Sequence, residues 1–188
     1  VEERNLLSVA YKNAVGSRRA AWRIISAIEQ RERSNGRLLN ASVAYDYRLN
    51  VEGELRDLCG SILRVLEDGL TGVAPCVQSK VFFQKMAGDY HRYLSEISEG
   101  GEKEMAASRA KSFYDDARAT ASAGLPATDP LRLSWALSTA VWNFEVLHNH
   151  EEAIAIARQA FDEAIAELDS VSEESYKDST LIMQLLRD

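Results

Sequence analysis

Only three prolines, Pro75, Pro126 and Pro130, interrupt the 188 residues of this chain, and apolar residues recur at helical spacing through most of it. Proline removes a backbone donor and breaks a helix interior, so a chain this poor in it accommodates long helices. Leu6, Leu7, Ala10, Ala14, Ala21, Trp22, Ile25 and Ile28 predict one helix over residues 2–33. The polar stretch Arg31 to Asn40, with Ser34-Asn35-Gly36, reads as a loop. A second helix is expected from about Val43 to Leu70, carried by Leu49, Leu55, Leu58, Ile62, Leu63 and Leu66 and ended by Gly69, Gly72 and Pro75. A third covers about 77–98 and stops at Gly100-Gly101. An alanine-rich fourth, about 102–123, ends before Gly124-Leu125-Pro126. Asp129-Pro130 starts a fifth that runs to about Leu147, with aspartate at the cap and proline at the first helical position. Asn149, with Glu152 three residues on, caps a sixth reaching about Leu168. Ser172 caps a seventh, in which Leu181, Ile182 and Leu185 keep helical spacing. No segment shows the two-residue alternation of a strand. The expected class is all-α, antiparallel helical hairpins joined by short loops, in a single domain over residues 1–188.

The formal net charge is -7 and the pI about 5.1, which argues against general nucleic-acid binding. Against that background, Lys12, Arg19 and Arg23 stand out. At roughly 100° per residue they stay within about 20° of one line on the first helix. Gly16 lies between the first two rungs and adds no side chain there. The third helix repeats the spacing: Lys85 and Arg92 are seven residues apart, with Tyr93 beside Arg92. Guanidinium forks bind phosphate oxygens in pairs, and an ammonium adds a point charge. If the first and third helices pack side by side, Lys12, Arg19, Arg92 and Tyr93 converge on one oxyanion. The competing reading is a solvated charged face, or pairing of Arg19 or Arg92 with Asp89 or another acidic residue.

On the fifth helix Ser134, Ser138, Val141 and Glu145 share a stripe. Leu137 and Val141 read as core by default, or, with Leu181, Ile182 and Leu185, as the apolar wall of a groove whose other side is basic. Such a groove suits an extended, phosphorylated peptide. Glu145 and His148 have the E-x-x-H spacing of di-metal helical bundles, but neither His91 nor His150 completes the set, so no metal is expected. No nucleophile elbow, Walker loop or dinucleotide fingerprint is visible. The expectation is a protein without catalysis and without cofactor. Cys59 and Cys76 have no metal-ligand spacing, and two cysteines alone make no disulfide framework. With no signal peptide and no long apolar run in view, a reducing compartment, cytoplasm or nucleus, is expected. No membrane association is implied.

At these residues the chain resembles the 14-3-3 family. RNLLSVAYKNA (Arg4 to Ala14) and YKDSTLIMQLLRD (Tyr176 to Asp188) match the family's two signature stretches nearly letter for letter, and SKVFFQKMAGDYHRYL (Ser79 to Leu94) and FDEAIAELD (Phe161 to Asp169) match it too. The resemblance implies an all-helical, cup-shaped protomer that binds phosphoserine or phosphothreonine peptides of client proteins in an amphipathic groove, as an adaptor in signalling. By position, Lys12, Arg19, Arg92 and Tyr93 match the phosphate-binding set. Arg23, Lys85, Ser138 and Glu145 fall to the polar side of the groove, and Leu137, Val141, Leu181, Ile182 and Leu185 to its apolar wall. The family forms homodimers or heterodimers, and Tyr47 and Glu54 match positions on the second helix that receive the partner. The family also has two helices before residue 1 and continues its last helix past Asp188, so the chain is expected to be a shortened form. It departs from the family at Ser138, where an asparagine is usual. A hydroxyl is shorter than an amide and makes fewer bonds. Asn50 stands for a usual lysine, His91 for a common tyrosine and Ala87 for a common lysine, and Trp135, Trp142 and Asn143 are also divergent. The alternative class is a helical scaffold that binds unmodified partners through apolar surface.

Overall fold

A computed structural model of the chain describes residues 2–171 and 173–188. Ser172, the expected cap of the last helix, lies outside the described residues. Among the described residues there are seven α-helices and no strand, and the chain divides into a unit ending at Val65 and a unit starting at Leu66.

The first unit is a hairpin of α1 (Glu2–Ser34) and α2 (Leu38–Val65). The expected ten-residue loop is much shorter. Gly36 takes φ 72°, its N–H bonds to the Arg33 carbonyl at 3.1 Å, and the Arg37 N–H reaches back to Glu32 at 2.9 Å. These are the two bonds of a Schellman ending, which needs a left-handed residue that glycine adopts without strain. The helix therefore runs through a polar last turn that reads as loop by composition, and α2 begins five residues earlier than expected. Contacts pair Tyr11 with Ser61, Arg18 with Glu54 and Trp22 with Glu52, so the two helices run antiparallel. Val15, Ile25, Val51, Leu55, Cys59 and Ile62 are buried. Among them sit two buried carboxylates, Glu29 and Glu52. Arg48 bridges both, at 2.7 and 2.5 Å, Arg33 adds a bond to Glu29 and the Trp22 indole N–H donates to Glu52 at 2.9 Å. Buried charge persists only when paired and hydrogen-bonded, and this seam meets that condition.

The second unit opens with a single π-turn, Leu66–Leu70, closed by the Thr71 N–H on the Leu66 carbonyl. It continues through α3 (Val77–Ile97), α4 (Gly100–Gly124), α5 (Pro130–Glu145), α6 (His150–Ala166) and α7 (Glu173–Arg187). Gly100-Gly101 does not stop α3 so much as start α4: α3 ends in extended Ser98, and Gly100 turns the chain at φ 54°. The α5 start follows the sequence expectation, with the Asp129 carboxylate accepting the Leu131 N–H at 2.8 Å and proline in the first turn. Asn149 accepts from the Glu152 N–H at 3.2 Å at the head of α6. Helices α3 and α4 pack along their lengths, with Val81 against Ala121 and Leu125. Helix α5 lies against both of them and against α6 and α7, with Leu133, Ala136, Ala164, Met183 and Leu186 as the shared core. The buried Ser179 hydroxyl fixes α7 by donating to the Thr128 carbonyl at 2.7 Å. Among the described residues no helix is long and apolar enough to cross a membrane.

Candidate functional site

In the first unit the stripe of α1 that meets α2 carries Tyr11, Val15, Arg18, Trp22, Ile25 and Glu29. The ladder of Lys12, Arg19 and Arg23 lies about 100° round the helix from that stripe. Lys12 and Arg23 are exposed and Arg19 is half-buried. A Cβ at Gly16 would meet nothing within 4 Å, so the surface between the rungs is open. On α2, Tyr47 is 59% exposed, and the exposed Glu54 pairs with Arg18 at 2.8 Å. The residue expected to receive a partner chain thus already holds a cation of its own hairpin.

In the second unit α3 brings its charged residues onto one stripe by their spacing of three and four. Lys85 Nζ bonds Asp89 Oδ2 at 2.7 Å and reaches Ser138 Oγ on α5 at 3.3 Å. Arg92 is 7% exposed. Its Nε donates to the Tyr114 hydroxyl at 3.2 Å, one Nη meets Glu96 at 3.3 Å, the other meets Asp89 at 3.5 Å, and Glu145 lies 4.0 Å away. Its guanidinium sits over the Tyr93 ring, 4.7 Å from the centroid, a cation–π arrangement. The structure therefore brings together Lys85, Arg92, Tyr93, Ser138 and Glu145. It also realises the pairing with Asp89 that sequence alone left open. Burial disfavours a charged Asp89, yet Lys85 and Arg92 outweigh it and hold the carboxyl at about 2. Burial likewise lowers the Arg92 pKa, but Tyr114, Asp89 and Tyr93 outweigh it and leave the group above its ordinary value.

The α3 cluster holds two cations, Lys85 and Arg92, against three carboxylates, Asp89, Glu96 and Glu145. By itself it is not a net-positive site. Its contacts to Arg92 at 3.3 to 4.0 Å are long for charge-assisted bonds, so they orient the fork without saturating it.

On α5, Leu137, Val141 and Glu145 line a cleft of about 580 Å³ together with Phe144, Phe161 and, from α7, Leu185. Three of the residues expected in the apolar wall, Leu137, Val141 and Leu185, thus meet at one cleft. Leu181 is 58% exposed and outside that lining, and Ile182 packs toward the Leu133 core instead. Leu137 and Val141 are half-buried, neither core nor fully open. Two residues of the α3 cluster were not found from the sequence. Glu96 stands four residues after Arg92 and had a readable signal in that spacing. Tyr114 comes from α4, 22 residues away, with no local pattern to betray it.

A sequence profile described as 14-3-3 protein matches residues 1–188. The 14-3-3-like protein A of Vicia faba is 55% identical over 188 residues, all of this chain and 72% of that protein. The 14-3-3 protein 6 of Solanum lycopersicum is 54% identical over the whole chain and 73% of its own length. The 14-3-3-like protein GF14-A of Oryza sativa subsp. japonica is 53% identical, over the whole chain and 71% of its length. With the helical fold, the cationic stripe of α1 and the charged cluster of α3 in place, these matches make the chain a member of the 14-3-3 family, adaptors that bind phosphoserine and phosphothreonine peptides.

Proposed function

We propose that this chain binds the phosphate of its client peptide through Lys12, Arg19, Arg92 and Tyr93, that Arg23, Lys85, Ser138 and Glu145 contact the polar side of the peptide, and that Leu137, Val141, Leu181, Ile182 and Leu185 take its apolar residues. The observation that carries the reading is the meeting of Lys85, Arg92, Tyr93, Ser138 and Glu145 at one cluster. Arg92 is presented and oriented, but the carboxylates around it outnumber the cations. A second set of cations, Lys12, Arg19 and Arg23, shares one stripe of α1 in the first unit. The chain then works by holding a modified segment, without catalysis and without metal or cofactor. As a dimer it joins two grooves, which favours doubly phosphorylated clients through effective concentration. Tyr47 and Glu54 are its proposed partner-facing residues, and the cytoplasm, with the nucleus, its place of action. No role with nucleic acid or membrane is proposed.

Calorimetry with a phosphoserine peptide and its unmodified twin tests this. The phosphorylated form binds more tightly, and its affinity falls as salt rises, because exposed charges are screened. Equal affinity for the two peptides, insensitive to salt, points instead to a scaffold that reads apolar surface.

A further inference from the structure

We propose that Tyr114 is the positioning residue of the phosphate-binding half on α3: its hydroxyl occupies the Nε edge of Arg92 and leaves the two Nη groups as the edge that meets an oxyanion. This rests on the reading that Arg92 binds phosphate.

Tyr114 is 1% exposed. Its hydroxyl accepts from Arg92 Nε at 3.2 Å and donates to Asp89 Oδ1 at 2.7 Å. Asp89 in turn holds Lys85, and Lys85 reaches Ser138. One oxygen therefore links Lys85, through Asp89, to Arg92. The Nε bond is buried, whereas the Nη contacts are the longer ones to Asp89, Glu96 and Glu145, which a phosphate can displace. A guanidinium presents two forks, Nε with one Nη, and the two Nη together. With Nε engaged, only the second remains.

Three features fix the ring that carries this hydroxyl. A Cβ on Gly88 would come within 2.7 Å of the Tyr114 ring, so the bare helix surface there is what lets the ring lie across α3. The Trp135 indole N–H donates to the Tyr114 carbonyl at 2.8 Å. The Trp142 ring packs 5.8 Å away. Burial, with Asp89 close by, raises the phenol pKa well above its ordinary value, so the hydroxyl stays protonated and donates to Asp89.

Tyr114→Phe keeps the ring and removes both bonds. The expected result is a loss of about tenfold in phosphoserine-peptide affinity, equivalent to about 1.4 kcal/mol, with the unmodified twin unchanged. In nitrogen-15 NMR the Arg92 Nε–H of the variant exchanges with water at the rate of an exposed arginine. Phosphopeptide affinity within twofold of the parent, together with an Nε–H still protected, overturns the proposal. Arg92→Gln separates the two levels. If it abolishes the preference for the phosphorylated peptide while Tyr114→Phe leaves that preference intact, the positioning role alone is wrong. If the parent chain shows no preference at all, the binding reading fails first and the positioning role with it. Should Tyr114→Phe not fold, the unaltered chain decides: its Arg92 Nε–H, identified by loss of the signal in Arg92→Lys, exchanges at least tenfold more slowly than exposed arginines. Exchange at their rate overturns the proposal.

Discussion

Asp89 is the acid that Lys85, Arg92 and Tyr114 share, and Asp89→Asn removes its charge while keeping its size. The folded carboxyl titrates at about 2 against an ordinary 3.8. A depressed acid stabilises the fold above its unfolded pKa and loses that contribution as pH falls through the folded one. At 1.36 kcal/mol per unit, the contribution at pH 7 is about 2 kcal/mol. It shrinks to about 1 kcal/mol at pH 3 and to near zero below pH 2. Asparagine still accepts from the Tyr114 hydroxyl, so the difference reports the charge. Urea unfolding measures it: with a slope of about 2 kcal/mol per molar, the midpoint of Asp89→Asn at pH 7 lies about 1 M below the parent. The gap narrows by about half at pH 3. A gap of the same size at both pH values would mean that packing, not charge, explains the loss. No gap at pH 7 would mean that Lys85 and Arg92 do not hold this carboxylate at all.

Two further outcomes follow from the packing and the titrating groups. Gly60→Ala on α2 adds a methyl that meets nothing within 4 Å and removes backbone freedom, so it raises stability by up to about 1 kcal/mol; Gly124→Ala brings a Cβ within 2.8 Å of the branched Val77 side chain and lowers it by about 1–3 kcal/mol. Thermal unfolding of the pair shows opposite signs, and equal shifts would refute the packing described at α3 and α4. His91 bonds Glu67 at 2.6 Å, stacks on Phe113 and lies near Arg109, which also pairs with Glu67; burial outweighs Glu67 and lowers its pKa. The unfolded chain then takes up a proton that the folded one resists, so stability declines as pH drops below about 6.5. Melting temperatures at pH 8 and 5.5 show a smaller decline in His91→Gln than in the parent, and a parent whose melting temperature rises on acidification would contradict the sign.

The helices were legible because their signals are local. Asp129-Pro130 and Asn149 place the starts of α5 and α6, and the heptad-like spacing of Lys12, Arg19 and Arg23 survives intact on α1. The α1 ending misled because Gly36 makes a three-residue turn inside a polar stretch that composition reads as loop. The Arg48 bridge between Glu29 and Glu52 was invisible for a different reason: buried acids look like surface acids until a partner helix covers them. At the candidate site, Arg92 and Lys85 were legible from the third-helix pattern and the family signatures. Tyr114 was not, since its role depends on a contact between α3 and α4 and on a glycine that leaves room for its ring. Ile182 shows the converse limit, because helical spacing marks an apolar stripe without saying which edge turns to the core.

Arg19 on α1 and Arg92 on α3 are both proposed to act on the client phosphate. The most direct measurement is the affinity of a phosphoserine peptide and its unmodified twin for the parent chain, Arg19→Glu and Arg92→Glu. The account predicts that each reversal brings the phosphorylated peptide down to the affinity of its twin while leaving the twin unchanged. Retained preference for the phosphorylated peptide in either variant would contradict it.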